Sequence, residues 1–243
     1  MFGQRPTEVI TSSRAEVTNA FMRGVYLWMC IGLAITAAFA YGVLGFSPLF
    51  NMMFVETARG FAVNKPVFYG LLIAEVGLVL VLSAAIHKIS GFTATGLFLL
   101  YSALNGMTLS LIILVYTPGS VASAFLTTAG MFGAMSIYGL VTKRDLTGMG
   151  SFMMMGLFGI IIAMIVNMFV GSSALDLGIS VIGVFIFLGL TAFDTQALRN
   201  MGESAPMDDT LAIRRGTIIG ALKLYLDFIN IFIMLLRIFG DRR

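Results

Sequence analysis

An all-α, polytopic membrane protein is predicted by the balance of residue types, by seven long apolar segments, and by the shortness of the stretches between them. Of 243 residues, 58% are hydrophobic and only 11% charged, with a mean hydropathy of +0.97. A soluble domain carries about 25% charged residues. The apolar segments run over roughly 24–46, 66–86, 92–115, 121–141, 151–171, 178–198 and 217–238. Each is close to the roughly 20 residues that one crossing of a bilayer requires. The connections hold no soluble domain, so residues 24–240 read as one seven-helix transmembrane domain. Residues 1–23 read as an N-terminal tail and 241–243 as a short basic tail.

The tail is polar, with Arg5, Glu8, Arg14, Glu16 and Arg23. It lacks the apolar core and small-residue cleavage site of a signal peptide, so the first helix is expected to act as an uncleaved anchor. Cys30 is the single cysteine and His87 the single histidine. An internal disulfide and thiolate metal clusters are thereby excluded, and a zinc-type site nearly so, since carboxylates alone rarely hold that metal. The net charge of +3 is small and calls for no nucleic acid. Most of it sits beside the apolar segments, where anionic lipid headgroups are the expected neighbours.

Orientation follows from the distribution of Lys and Arg. Arg5, Arg14, Arg23, Lys88, Lys143, Arg144, Arg199, Arg214 and Arg215 fall on one side, against Arg59 and Lys65 on the other. Nine against two places the N-terminus in the cytoplasm. The single cysteine and short loops suit a bacterial inner membrane. The C-terminus is ambiguous, because Arg237, Arg242 and Arg243 would lie outside after seven full crossings. A re-entrant last segment would bring them back.

Many of the 27 glycines stand within apolar segments, among them Gly130, Gly133, Gly156, Gly159, Gly183 and Gly189. Small residues let helices approach closely in lipid, where packing drives association. The 17 methionines, including Met153, Met154 and Met155, are expected to fill gaps between helices. The connection 199–215, RNMGESAPMDDTLAIRR, carries both signs of charge and reads as a solvated cytoplasmic loop.

Three acids interrupt the apolar segments: Glu75 in the second, Asp194 in the sixth and Asp227 in the seventh. A carboxylate at a helix centre costs roughly 2.5–3.5 kcal/mol by insertion scales. Neutralising one at pH 7 costs about 4 kcal/mol, so the surroundings decide which form persists. Two acids on neighbouring helices can share one proton. That points to a proton-sensing or cation-handling site; the plainer reading is a polar pair that fixes helix packing. Glu75 is a candidate for the same path, or a hydrogen-bond acceptor to a neighbouring helix. Lys223 stands four residues before Asp227, on the same helix face. It could pair with that acid or extend its amine to the interface. Asn230, Asn105 and Asn167 could line a polar path or bind helices together.

The segments GLTAFDTQAL at 189–198 and ALKLYLDFINIFIMLLRIFG at 221–240 resemble the Bax inhibitor-1 family, also called transmembrane Bax-inhibitor-motif proteins. PVFYGLLIAEVGLVLVLSAAI at 66–86 and the seven-segment hydropathy extend the likeness over the whole length. The resemblance implies seven helices with the last one central. It further implies a pH-sensitive calcium leak in which Asp194 and Asp227 form a proton-sensing latch and Glu75 matches an acid of the second helix. Related members place an arginine about three turns after that acid; this chain reads Ser83-Ala84-Ala85-Ile86-His87-Lys88 and has none. His87 or Lys88 substitutes for it, or this part of the latch is missing. His87, with a reference pKa near 6.5, could add a second sensor.

An intramembrane aspartyl protease also needs two aspartates, but its Tyr-Asp and Gly-x-Gly-Asp motifs do not occur. A retinal protein would need a lysine in the seventh helix, which Lys223 could mimic, but no motif supports it. The chain is therefore expected not to be an enzyme and to use no cofactor. Calcium, protons and the lipid bilayer are the expected partners, without tight metal binding. The alternative is a non-conducting regulator that binds a membrane protease or another membrane protein.

Overall fold

The computed structural model describes residues 6–57, 60–85, 88–204 and 210–243, with side chains from residue 14 in the first helix and from residue 213 in the last. Among the described residues there are eight helices: α1 (Pro6–Gly45), α2 (Ser47–Met53), α3 (Lys65–Ala85), α4 (Gly91–Val115), α5 (Pro118–Val141), α6 (Thr147–Val170), α7 (Ser173–Ser204) and α8 (Thr210–Phe239). All but α2 are long and apolar enough to cross a membrane, and each coincides with one of the predicted segments. The protein is an all-α polytopic membrane bundle.

Three helices run past their predicted ends. Helix α1 begins at Pro6, inside the stretch read as a tail. There Phe21 and Met22 are buried, and Thr18 and Phe21 pack on Gly202 near the end of α7. These buried apolar side chains hold the residues before the first span in the helix. Helix α7 extends to Ser204 and α8 starts at Thr210, so most of the connection read as a loop over 199–215 is helical. Residues 205–209 lie outside the described residues.

The first connection also holds structure that the hydropathy does not reveal. Pro48 opens α2, where its fixed φ suits a helix start. Two short strands follow, β1 (Phe54–Thr57) and β2 (Gly60–Val63), paired antiparallel with Phe54 opposite Val63. Gly60, at φ 113°, takes the turn position that a side chain would strain. Met53 and Phe54 are buried against Val43 and Met107.

The chain falls into two compact units. One gathers Gly24–Val115 and Asp208–Leu222. In it α1 and α4 touch so closely that a Cβ on Gly106 would strike the carbonyl of Thr36. The Thr36 hydroxyl hydrogen-bonds the carbonyls of Gly32 and Ser102 along that seam. The other unit gathers Met1–Arg23, Tyr116–Met207 and Lys223–Arg242. Here a Cβ on Gly139 of α5 would meet the carbonyl of Ala192 on α7.

Of the glycines singled out in the sequence, Gly156, Gly183 and Gly189 sit against Ile186, Met234 and Met153, while Gly130, Gly133 and Gly159 face open space. Met153 thus fills a gap as expected. Met154 and Met155 are exposed instead, on the outward face of a helix with only 6% of its span window buried. In α8 that share is 72%.

The second of these units also holds Thr18 and Phe21 of α1 and the C-terminal tail. At one end of it Thr18 and Phe21 meet the C-terminal part of α7. At the opposite end the tail returns to the α4–α5 connection, with Thr117 N–H donating to the Asp241 carbonyl at 3.0 Å and Tyr116 bridged to Arg242. Arg237 pairs there with Asp176 at the start of α7, at 3.2 Å. Helix α8 is unbroken over Thr210–Phe239 and long enough for one full crossing. Its basic end is accommodated by Asp176 and by the Tyr116 ring, whose centroid lies 5.8 Å from the Arg242 guanidinium. Topology reporters fused to the N- and C-termini are expected to score on opposite faces of the membrane. Scores on the same face would contradict an unbroken α8.

Candidate functional site

Asp194 and Asp227 belong to the same unit, on α7 and α8. Helix α7 continues through Asp194 because its polar residues stand one turn apart and turn inward. Thr191, Asp194, Thr195 and Leu198 are all buried, at the three- and four-residue spacings that share a helix face. Lys223 on α8 donates from Nζ to Asp194 Oδ1 at 3.3 Å. The lysine thus reaches across to the neighbouring helix, not along its own helix to Asp227. Its side chain is 48% exposed and that of Asp194 12%, so the pair is screened from the lysine side only.

Among the described residues Asp227 forms no ion pair of this kind. The residue is 4% exposed, and its Oδ2 has no hydrogen-bond partner. It stands one helical turn from Lys223 on α8, in the same unit as Asp194. Two further orphaned hydroxyls stand in this unit, Ser136 on α5 and Thr195 on α7. Gly139, one turn beyond Ser136, packs on Ala192 and Thr195, which puts both hydroxyls on the α5–α7 seam. Buried polar atoms normally find partners, and those that do not call for an explanation such as water or an ion.

The other residues singled out in the sequence are held elsewhere. Glu75 is in the unit that contains α3 and α4. It is 7% exposed and accepts hydrogen bonds from Thr108 Oγ1 at 2.9 Å and Asn105 Nδ2 at 3.2 Å. That is the helix-to-helix bond considered for it from the sequence. Asn230 donates at 2.8 Å to the Leu226 carbonyl of its own helix and so does not bind two helices through its amide. Asn167 accepts at 3.0 Å from Ser172 N–H, capping α6, where Gly171 takes the left-handed conformation. His87 lies outside the described residues. Lys88 is exposed just past α3.

A clasp beneath the acid pair escapes the sequence. Gln196, two residues from Asp194, accepts from Leu146 N–H at 2.9 Å and donates to the Arg144 carbonyl at 2.8 Å. Arg199 donates to the Leu140 carbonyl at 2.6 Å. The end of α7 is thereby tied to the α5–α6 connection. Only the three-residue spacing of Gln196 and Arg199, which puts them on one helix face, hints at it. Asp145 in that connection is held below the usual carboxylate range by hydrogen bonds from the Thr147 hydroxyl and then from its N–H. A lowered value means a contribution to stability that is present at neutral pH and lost only as pH falls through that value. Asp145 therefore stays charged where the buried acids could change, and it does not serve as the sensor.

These features define a class: a helical membrane protein with two buried acids set against one amine between its last two spans. The family described as "Inhibitor of apoptosis-promoting Bax1" matches residues 18–243, and the chain belongs to it. It is 51% identical over 237 residues to the inner membrane protein YbhL of Escherichia coli K12, covering 98% of this chain and 97% of that one. It is 46% identical over 236 residues to a protein of Borreliella burgdorferi, covering 96% and 98%. It is 41% identical over 225 residues to a membrane protein of Streptococcus pyogenes serotype M1, covering 91% and 93%.

The pairing of Lys223 with Asp194 makes a testable expectation. Lys223→Met leaves a nearly buried acid unpaired and is expected to cost about 1–3 kcal/mol, below the value for a fully buried pair because the lysine is half in solvent. Adding Asp194→Asn should recover most of the loss. Thermal unfolding of the purified variants in detergent measures it, and additive losses in the double variant would show that the two do not interact.

Proposed function

We propose that the protein is a pH-sensitive calcium leak of the bacterial inner membrane, with its N-terminus in the cytoplasm and with Asp194, Lys223 and Asp227 as its proton-sensing gate. The observation that carries this reading is the unpartnered Oδ2 of the buried Asp227, in the same unit as the Asp194–Lys223 pair. Lys223 balances one acid and leaves the other unbalanced. With a proton on Asp227 the site is neutral and compatible with a dry helix interface. Without it the site carries a net charge of −1, which drives α7 and α8 apart or draws in a cation.

The cation would be held weakly. Calcium takes six to eight oxygen ligands, and two carboxyl groups with a few hydroxyls supply fewer. Among the described residues there is no cluster of three or more acidic, histidine or cysteine side chains fit to hold a metal. Weak binding suits passage, since a permeating ion must leave as readily as it enters. In this reading α8 is the central helix that the family resemblance implies, and its 72% burial supports that. The inner-membrane placement draws on the name of the Escherichia coli relative, and the orientation on the nine-to-two distribution of basic residues. No enzymatic step or cofactor is needed.

Membrane-protein regulators form the second reading. A non-conducting protein that docks onto a membrane protease would place its specific residues on lipid-facing surfaces, whereas these acids are buried.

Proteoliposomes loaded with a calcium dye distinguish the two. Raising the pH removes the Asp227 proton, so the leak is expected to increase with pH. Asp227→Asn, which cannot ionise, is expected to flatten that response, and Asp145→Asn to leave it intact. An Asp194→Asn, Asp227→Asn variant that keeps the full pH dependence would move the sensor to Glu75 or His87. Absence of any flux would favour the regulator.

A further inference from the structure

Helices α5 and α8 run antiparallel in one unit, with Thr117 beside Asp241 at one end and Phe132 beside Phe228 further in. At the tail end they leave a cavity of about 390 Å³, room for an ion with several of its waters. Its lining residues include Thr117, Ser120, Ser123, Thr127 and Asp241. Such a lining is unexpected at the edge of an apolar bundle. The backbone of Asp241 is fixed there, its N–H donating to Ser120 Oγ at 3.0 Å and its carbonyl accepting from Thr117. Its carboxylate forms no ion pair among the described residues, although three arginines surround it in sequence. Arg237 is taken by Asp176 and Arg242 lies over Tyr116. Asp241 is exposed, and a carboxylate without an ion pair beside hydroxyl-bearing residues suits a hydrated cation.

Inward from the cavity the character changes abruptly. Phe125 packs edge-on against Phe228 and Phe232, with centroids 5.4 and 6.5 Å apart, and Phe132 against Phe228 at 5.5 Å. Phe132, Phe228 and Phe232 are buried. Further along the same helices stand Asp227, which precedes Phe228 and whose Oδ2 is orphaned, and the orphaned Ser136 hydroxyl, one turn past Phe132. Polar groups thus lie on both sides of a dry aromatic layer only a turn or two thick. Hydrophobic constrictions of this kind gate by excluding water.

We propose that the cavity between α5 and α8 is the mouth through which a hydrated divalent cation reaches Asp227, and that Phe125, Phe132 and Phe228 form its closure. This rests on the leak function proposed above and adds the route and the gate. Asp241 and the hydroxyls gather the ion, the aromatic layer holds it off, and charging of Asp227 behind the layer wets the constriction.

The test uses the full chain in proteoliposomes on a Cys30→Ser background, with Ser123→Cys as the reporter and a membrane-impermeant cationic thiol reagent on the tail side. The introduced thiol is expected to react and its modification to lower calcium flux. Phe228→Ala is expected to raise the flux by about tenfold or more, as removal of a dry constriction should. Phe125→Ala, at a half-exposed ring, is expected to do so more weakly and covers the case in which Phe228→Ala does not fold. If the parent protein keeps its pH-dependent flux while the thiol of the Ser123→Cys variant is unreactive, or while its modification and both Phe variants leave flux unchanged, this route is wrong and the leak function stands. If the parent protein shows no flux, the leak function fails and this inference with it.

Discussion

Everything at the centre of this protein depends on one shortage of charge: two buried carboxyl groups face a single amine. Lys223 commits to Asp194 at 3.3 Å and leaves Asp227, 4% exposed, with an oxygen that nothing satisfies. A charge in hydrocarbon costs more than most single interactions in a fold contribute. Such a group must hold a proton, recruit a cation or move. Each of these changes the packing of α7 on α8, so the chemistry of one acid becomes a property of the bundle.

The rest of the unit keeps that acid from relieving its stress cheaply. Gly139 brings α5 to the backbone of α7 at Ala192, and Gly183 admits Met234 of α8, so the seams around the site have no slack. Below it, Gln196 and Arg199 fasten α7 to the α5–α6 connection by three hydrogen bonds. At the far end Arg237 and Asp176 join α8 to α7. With both ends tied, a response to charging is confined to the middle of the helices, where the orphaned hydroxyls of Ser136 and Thr195 are placed.

Hydropathy made the seven spans legible because a crossing helix must be apolar over its whole length, and no other part of the chain is. It could not show that α1 starts at Pro6, since a helix outside the membrane needs only one buried stripe, here Phe21 and Met22. Nor could it show α2 and the hairpin, which are too short to have a period. The acids were legible because a charge inside an apolar run stands out by composition alone. Their partners were not. Helical spacing allowed Lys223 to pair with Asp227 or to reach the interface, whereas the structure joins it to Asp194 on another helix, and contacts between helices leave no local trace. The clasp of Gln196 and the tail's return to Tyr116 and Thr117 are of the same kind.

The charge state of Asp227 itself is open to direct observation. Infrared difference spectra of the reconstituted protein, taken as pH is raised, report protonated carboxyl groups through their carbonyl band. The expected result is a band that fades over the pH range in which the proposed calcium leak would grow and that is absent from the Asp227→Asn variant. A band unaffected by that substitution, or no titrating carboxyl in that range, would contradict the view that a proton on Asp227 sets the state of the protein.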